Sequence, residues 1–544
     1  MKNIKTKLFL LSAFTAIVLT FNFKNEISAQ VIRDNRVIIA VPTPSPTPKK
    51  DVIEPIIGSP KPTPTPTISS APKQTMSDVQ AKIRQVLFRP ELKRGSVGVK
   101  IISLDTGKTI FEQDAEKYFM PASNMKSFTV AAAMERLTPN FRFVTSVYAI
   151  ALPDASGTIK GDLTVFGRGD ISVSTAFYDG DYYKGIDELA NRIAQAGIKR
   201  VEGNLIGDET FFSGSAIPSG WEWDDLQWYY GAEVSALPLN DNAVDLSIKP
   251  GGQNAPCFIQ IQPANTVYKI VNRCVTGGSR RDIRVIKKIA QNILEVYGTI
   301  PNNDGGYSGQ IAISHPSELF VEMLRQRLSQ KGIVVTGRTL VKSEKPAIST
   351  MVMPVEIAKL ESFPFSVVAA KTMKPSQNLY TETILWTLGE QFGNKTDALS
   401  SADKGIGVVK SFLRQIGVAD DGIIQYDGSG LSRHNLITPA AAVRLYEYMA
   451  KQSPNAIAWQ NSLTIGGVDG TLRNRFKGTR AEGNMRGKTG TIDQVSALSG
   501  YVTTAGGERL VLSVVVNGVP VTANRTSAID SIVVALANFD GRSQ

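Results

Sequence analysis

Three short patterns in this 544-residue chain hold residue types that can run nucleophilic chemistry without histidine, of which there are only two. Ser123 stands three positions ahead of Lys126 in "PASNMKSFTV", at the start of a run with helical periodicity. On a helix these positions share a face, so hydroxyl and amine can meet, and a lysine deprived of water and near another cation becomes a neutral base. Ser376 and Asn378, in "MKPSQNLYTET", put a hydroxyl and a carboxamide two apart on a loop entering a helix; "RGKTGT" puts Lys488, Thr489, Gly490 and Thr491 on a strand. Each pattern also has an ordinary structural reading. Ser-x-x-Lys recurs at Ser70 to Lys73 in a proline-rich stretch and at Ser401 to Lys404, where the serine reads as a helix cap, as Ser123 itself could. Ser-x-Asn recurs at Ser453 to Asn455 as a turn after a helix. Lys-Thr-Gly occurs once, and the three patterns follow one another along the chain.

That ordered triple is the signature of penicillin-binding proteins and serine β-lactamases. The chain resembles one branch in particular, the three-domain D-Ala-D-Ala carboxypeptidase/endopeptidases, or class C low-molecular-mass penicillin-binding proteins. The gap of 253 positions between Ser123 and Ser376 is one that this family fills with two nested domains. "GDLTVFGRGD", "GWEWDDLQWYYGAEVSALPLNDNAVDL", "YDGSGLSRHNLITP" and "GGVDGTLRNRF" look like the family's own segments, and the likeness runs from 76 to 540.

The resemblance implies an acyl-enzyme on Ser123, with Lys126 taking its proton, Ser376 relaying a proton to the leaving amine and Asn378 binding the substrate amide. Lys488 would lower the pKa of Lys126 by its charge, Thr489 and Thr491 would hold the terminal carboxylate, and the backbone N–H groups of Ser123 and Thr491 would form the oxyanion hole. A side chain at Gly490 would crowd the cleft; the alternative is a bulge glycine. "WEWDDLQWYY" reads by composition as a packed aromatic corner. The resemblance implies instead that an acidic residue there meets the free amine of a diaminopimelate side chain, with Trp221 and Tyr229 as walls. Asp224 and Asp225 both qualify. Peptidoglycan stem peptides would be the substrate and β-lactams covalent inhibitors, with no cofactor.

Two other enzyme readings compete. A serine β-lactamase would share acylation and differ in deacylation, yet no segment resembles the glutamate-bearing element that class A enzymes use. A serine–histidine mechanism has no G-x-S-x-G elbow to present a serine to His434, and His315 stands as isolated as His434 does. The histidines and cysteines form no cluster with metal-ligand spacing. A non-catalytic wall-binding scaffold is the third alternative, and the presence of every motif side chain argues against it.

The elements that must position these residues can be read around them. Helical periodicity marks "SDVQAKIRQVLF", capped by Ser77, the run after Ser123, and "PSELFVEMLRQRLSQKG", "LYTETILWTLGEQFG", "IGVVKSFLRQIG", "PAAAVRLYEYMAKQ" and "AIDSIVVALANF". "GSVGVKIISLD" and "KTIFEQDAE" form a hairpin through Thr106-Gly107, and three further strands close the chain. Hairpin and closing strands are expected to share one antiparallel sheet with helices on both faces. The fold class is α/β (α+β), split over residues 76–145 and 345–544, with an inserted β-rich region at 146–344 built as two nested domains.

Lys2, Lys5 and Lys7 precede an apolar run from Leu8 to Phe21, and Ser28-Ala29 offers a cleavage site, so residues 1–29 read as a secretory signal. The run falls short of the roughly 20 residues a membrane span needs, leaving at most peripheral membrane contact. Residues 30–75 alternate Pro and Thr as a tether without a core. In an exported chain Cys257 and Cys274 read as one disulfide, with two free thiols as the alternative. The net charge of +11 is carried by dispersed basic residues without a nucleic-acid motif, so it implies mild attraction to anionic envelope polymers. Periplasm or cell envelope is the expected location; sequence leaves the oligomeric state open.

Overall fold

The computed structural model describes residues 74–345, 354–396 and 398–543. The expected secretory signal, the expected Pro/Thr tether up to residue 73 and the Ser-x-x-Lys at Ser70 lie outside these residues.

Six strands form an antiparallel sheet in the order Thr464–Ile465, Arg486–Ile492, Val495–Thr503, Arg509–Asn517, Ser96–Ser103, Thr109–Gln113. The expected hairpin and the three closing strands therefore share one sheet, joined by a two-residue strand that had no sequence signal. "RLVLSVVVN" is apolar at nearly every position because both of its faces are covered. Leu510, Leu512, Val514 and Val516 pack with the first helix, Met76–Leu87, and the last, Thr522–Ala537, while Val511 joins the opposite helical core. That core gathers Met125–Arg136, Phe365–Met373, Asn378–Phe392, Ser401–Gln415 and Pro439–Lys451. Two caps fall elsewhere than expected. Thr75, not Ser77, caps the first helix through a reciprocal box with Asp78, and Ser400, not Ser401, caps the helix Ser401–Gln415.

The residues between these parts form a second core around a mixed five-stranded sheet. Its order is Thr339–Lys342, Leu205–Asp208, Leu163–Phe166, Val144–Ala149, Val355–Glu361. Val355–Glu361 pairs with Val144–Ala149, so this sheet draws in a strand well past residue 345. The stretch read as β-rich also holds a helix, Lys184–Gln195, whose buried Ile186, Leu189, Ala190 and Ile193 follow helical spacing. Two three-stranded sheets lie between Ala243 and Ala312, and Cys257 and Cys274 are joined there by a disulfide.

Candidate active site

Ser123 enters a cleft from one turn of 3-10 helix, Ala122–Asn124, that runs directly into Met125–Arg136. This helix is buried on all sides from Met125 to Met134, including the polar Lys126, Ser127 and Thr129 among its apolar residues. Between Pro121 and Met134 only Ser123 keeps part of its surface exposed. Lys126, one turn on, has no exposed surface. Its Nζ lies 3.0 Å from Ser123 Oγ, 2.6 Å from Asn378 Oδ1 and 2.7 Å from the Ser429 carbonyl. Burial pulls its pKa from the ordinary lysine value down to about 7, against the opposing charges of Asp427 and Glu382. A neutral amine has two N–H bonds. Donated to Asn378 and Ser429, they leave the lone pair facing the serine hydroxyl, as a general base requires.

Lys488 stands on Arg486–Ile492, and its Nζ donates to Ser376 Oγ at 2.8 Å and to the Thr489 carbonyl at 2.9 Å. It too is fully buried. Burial and then the charge of Lys126 hold its pKa well below that of a free lysine. Desolvation is the main cause of the depression at both lysines, and repulsion between the two amines acts in the same direction. Ser376 has φ 68°, and Gln377 caps the helix that Asn378 begins.

The strand approaches the serine turn along a nearly open edge, since Thr464–Ile465 pairs only with Gly487 and Arg486. A Cβ on Gly490 would sit 2.4 Å from the Pro121 carbonyl oxygen. Glycine is thus required where the strand meets the backbone of the nucleophile's own turn, a tighter constraint than room for substrate. The register from Arg486 to Ile492 is unbroken, so Gly490 is no bulge. Thr491 is exposed at the strand's end, whereas Thr489 is buried and donates to Thr471 Oγ1 at 2.6 Å.

Behind Lys126 the loop of "YDGSGLSRHN" is held by two buried acids. Glu382 lies one turn along the helix from Asn378 and accepts the N–H groups of Gly428 and Ser429 at 2.9 and 2.7 Å. Its pKa is pushed above the carboxylate range by burial and by Asp427. Asp427 accepts from Gly430 N, Ser432 N and Asn435 Nδ2, each at 2.7 Å. Together they aim the Ser429 carbonyl at Lys126. The sequence signal for this loop's role is Glu382, four positions after Asn378 on the same helix.

The inserted region supplies the other wall. Trp221 Nε1 donates to Asp427 at 2.9 Å, and the Tyr230 carbonyl accepts from Asn378 Nδ2 at 2.8 Å. Tyr229 packs edge-on against Tyr230, with centroids 5.7 Å apart. The Asp225 carboxyl is raised to about 6 by burial and by Asp224 and Glu222, against a hydrogen bond to Tyr230. Asn240, Asp241 and Asn242 are all left-handed, at φ 47°, 61° and 51°, a conformation that Asn and Asp tolerate best. This turn points the Asp241 carboxylate at Tyr380, at Gln377 Nε2 (3.1 Å) and at Ser174 Oγ (2.6 Å). Asp241 was not foreseen. His434 stacks near Tyr426, and His315 precedes the helix Pro316–Gln330; neither joins the serine–lysine group. The disulfide lies in the inserted region's core.

A serine and a buried lysine at the start of a helix, opposite a lysine-bearing sheet edge, fit one class, the serine hydrolases. The profile of the D-Ala-D-Ala carboxypeptidase 3 (S13) family matches residues 79–539, and the chain belongs to that family. A D-alanyl-D-alanine carboxypeptidase of Actinomadura sp. is 30% identical over 489 residues, 88% of this chain and 87% of that protein. The D-alanyl-D-alanine carboxypeptidase DacB of Haemophilus influenzae is 27% identical over 438 residues, 79% of this chain and 87% of that one. The crystal structure of penicillin binding protein 4 (dacB) from Haemophilus influenzae superposes with a TM-score of 0.71 at 22% identity, covering 83% of this chain and 97% of that one. The fold is that of the penicillin-binding proteins.

Proposed function

We propose that the protein is an exported serine DD-peptidase that cleaves the D-Ala-D-Ala bond of peptidoglycan stem peptides, as a carboxypeptidase or a cross-link endopeptidase, and is acylated by β-lactams. The observation that carries this is the Lys126 amine, wholly buried and 3.0 Å from Ser123 Oγ. Ser123 Oγ attacks the carbonyl carbon of the penultimate D-alanine while its proton passes to Lys126. The oxyanion is held by the N–H groups of Ser123 and Thr491. As the C–N bond breaks, the leaving amine takes a proton from Ser376, backed by Lys488, and Lys126 reprotonates the relay. Water then hydrolyses the ester and restores Ser123. Asn378 holds the substrate amide, and Thr491 with the Thr489–Thr471 hydroxyl pair holds the carboxylate.

Within the insert wall Asp225 is the residue to meet a substrate ammonium. It stands among acids whose mutual repulsion a cation would relieve. The apolar run at 8–21 and the disulfide at Cys257 and Cys274 support export to the envelope. Among the described residues no helix is long and apolar enough to cross a membrane.

Intact-mass spectrometry with benzylpenicillin, followed by peptide mapping, tests the reading. The expected result is a persistent adduct on Ser123 that Ser123→Ala abolishes with the fold retained. Labelling that survives in that variant overturns the nucleophile. Rapid release of hydrolysed penicillin would identify a β-lactamase instead, and intact penicillin with no adduct would leave a scaffold or a site closed to this ligand.

A further inference from the structure

The basic residues are less evenly dispersed than the sequence reading held. Residues 269 to 300 hold seven Lys and Arg against two acids, a large share of the chain's net +11. They fold as a three-stranded sheet in the order Lys269–Thr276, Ile293–Ile300, Asp282–Lys287. One face is buried through Cys274, Leu294, Val296 and Ile300, with the disulfide fastening it. The other carries Arg273, Tyr297 and Arg284 in one cross-strand row, since both arginines pair with Tyr297 in register. Both arginines are exposed. The Arg273 guanidinium lies over the Tyr297 ring, 5.5 Å from its centroid. A second row on this face, roughly 13 Å along the strands, brings Lys269 and Lys288 to either side of Ile293. Of the two acids, Glu295 is in an ion pair with Lys288 at 3.3 Å.

We infer that this open sheet face is a docking surface for a peptidoglycan strand, whose stem-peptide carboxylates meet the Arg273–Tyr297–Arg284 row. Stacking on an aromatic ring pre-orients a guanidinium whose fork matches a carboxylate. A second cationic row suits a polymer with repeated carboxylates better than it suits one small anion. The surface is also continuous with the catalytic wall. Gln227, within the Trp221–Tyr230 segment, donates to the Val285 carbonyl at 3.3 Å and accepts from Lys287 N at 3.4 Å on the sheet's edge strand. A strand held here lies beside the cleft that receives its stem peptide, so the inference rests on the DD-peptidase reading.

The test compares the full chain with Arg273→Glu/Arg284→Glu in co-sedimentation with insoluble peptidoglycan stripped of phosphate polymers, at low and high salt. The expected result is binding that falls at least tenfold in the variant and weakens with salt in the parent, with slower digestion of insoluble peptidoglycan. Acylation by benzylpenicillin and turnover of a soluble D-Ala-D-Ala peptide stay unchanged, which also shows that the variant is folded. Arg273→Lys/Arg284→Lys should keep part of the binding. Equal sedimentation of parent and charge-reversed chain overturns the inference, as does binding only to peptidoglycan that retains its phosphate polymers. Loss of acylation in the parent would instead count against the DD-peptidase reading.

Discussion

Lys126 and Lys488 are themselves fully buried, on a helix and a strand, whereas Trp221–Tyr230 and Asn240–Asn242 reach the cleft from an inserted region, through partly exposed rings, a backbone carbonyl and a left-handed turn. The first wall is dry, and dryness is its chemistry: removal of water disfavours the ammonium form, so the lysine can stand neutral near pH 7 with a lone pair to accept a proton. The second wall has acids and aromatic rings that are only partly covered, which suits recognition. The two are not separable, however. Asn378 donates to the Tyr230 carbonyl, and Gln377, the middle residue of Ser376–Asn378, donates to Asp241. The insert thus adds two hydrogen bonds to a motif that Lys126 and Lys488 hold from the other side.

The comparison breaks first at Lys126. Lys126→Met removes the base but keeps the length of the buried stem, and acylation by benzylpenicillin should fall about 1,000-fold, within the range for loss of a general base. The pH profile sharpens the same point. Because burial lowers the Lys126 pKa to about 7, the neutral fraction grows with pH through that value. Acylation should therefore be half-maximal near pH 7 and about 100-fold slower at pH 5, measured in stopped flow. A profile flat between pH 5 and 8 would contradict a dry-wall base.

On the insert side the effects should be smaller. Asp241→Asn leaves the residue's shape but weakens its hold on Gln377 and Tyr380, and should slow acylation about tenfold in protein of normal melting temperature. A lower melting temperature with unchanged acylation would reduce Asp241 to a structural clamp. Asp225→Asn should raise KM about fivefold for a stem peptide with a free side-chain amine, and leave an N-acetylated analogue unaffected, as one partly solvated charge pair would.

Much of this molecule is legible in local sequence. Ser123 and Lys126 are one helical turn apart, Ser376 and Asn378 flank a helix start, and Lys488 to Thr491 lie along one strand, so their relative placement follows from backbone geometry alone. The near-continuous apolar run of "RLVLSVVVN" likewise announces a strand covered on both faces. The helix Lys184–Gln195 was obscured because Gly and Asp punctuate a stretch whose neighbours are short strands, although its apolar spacing was there to find. The strand Val355–Glu361 finds its partner at Val144–Ala149, across a separation no local pattern encodes.

What the sequence by itself determined is which residue types are present and how each motif presents them along one helix, loop or strand, because those relations span a few residues of regular backbone. Only the tertiary structure decided that Ser429 and Asn378 share the two N–H bonds of Lys126, that Gly490 is needed against the Pro121 carbonyl, and that Asp241 holds Gln377. These contacts join residues far apart in the chain, and the depressed lysine pKa values arise from burial, a property of the assembled core rather than of any segment.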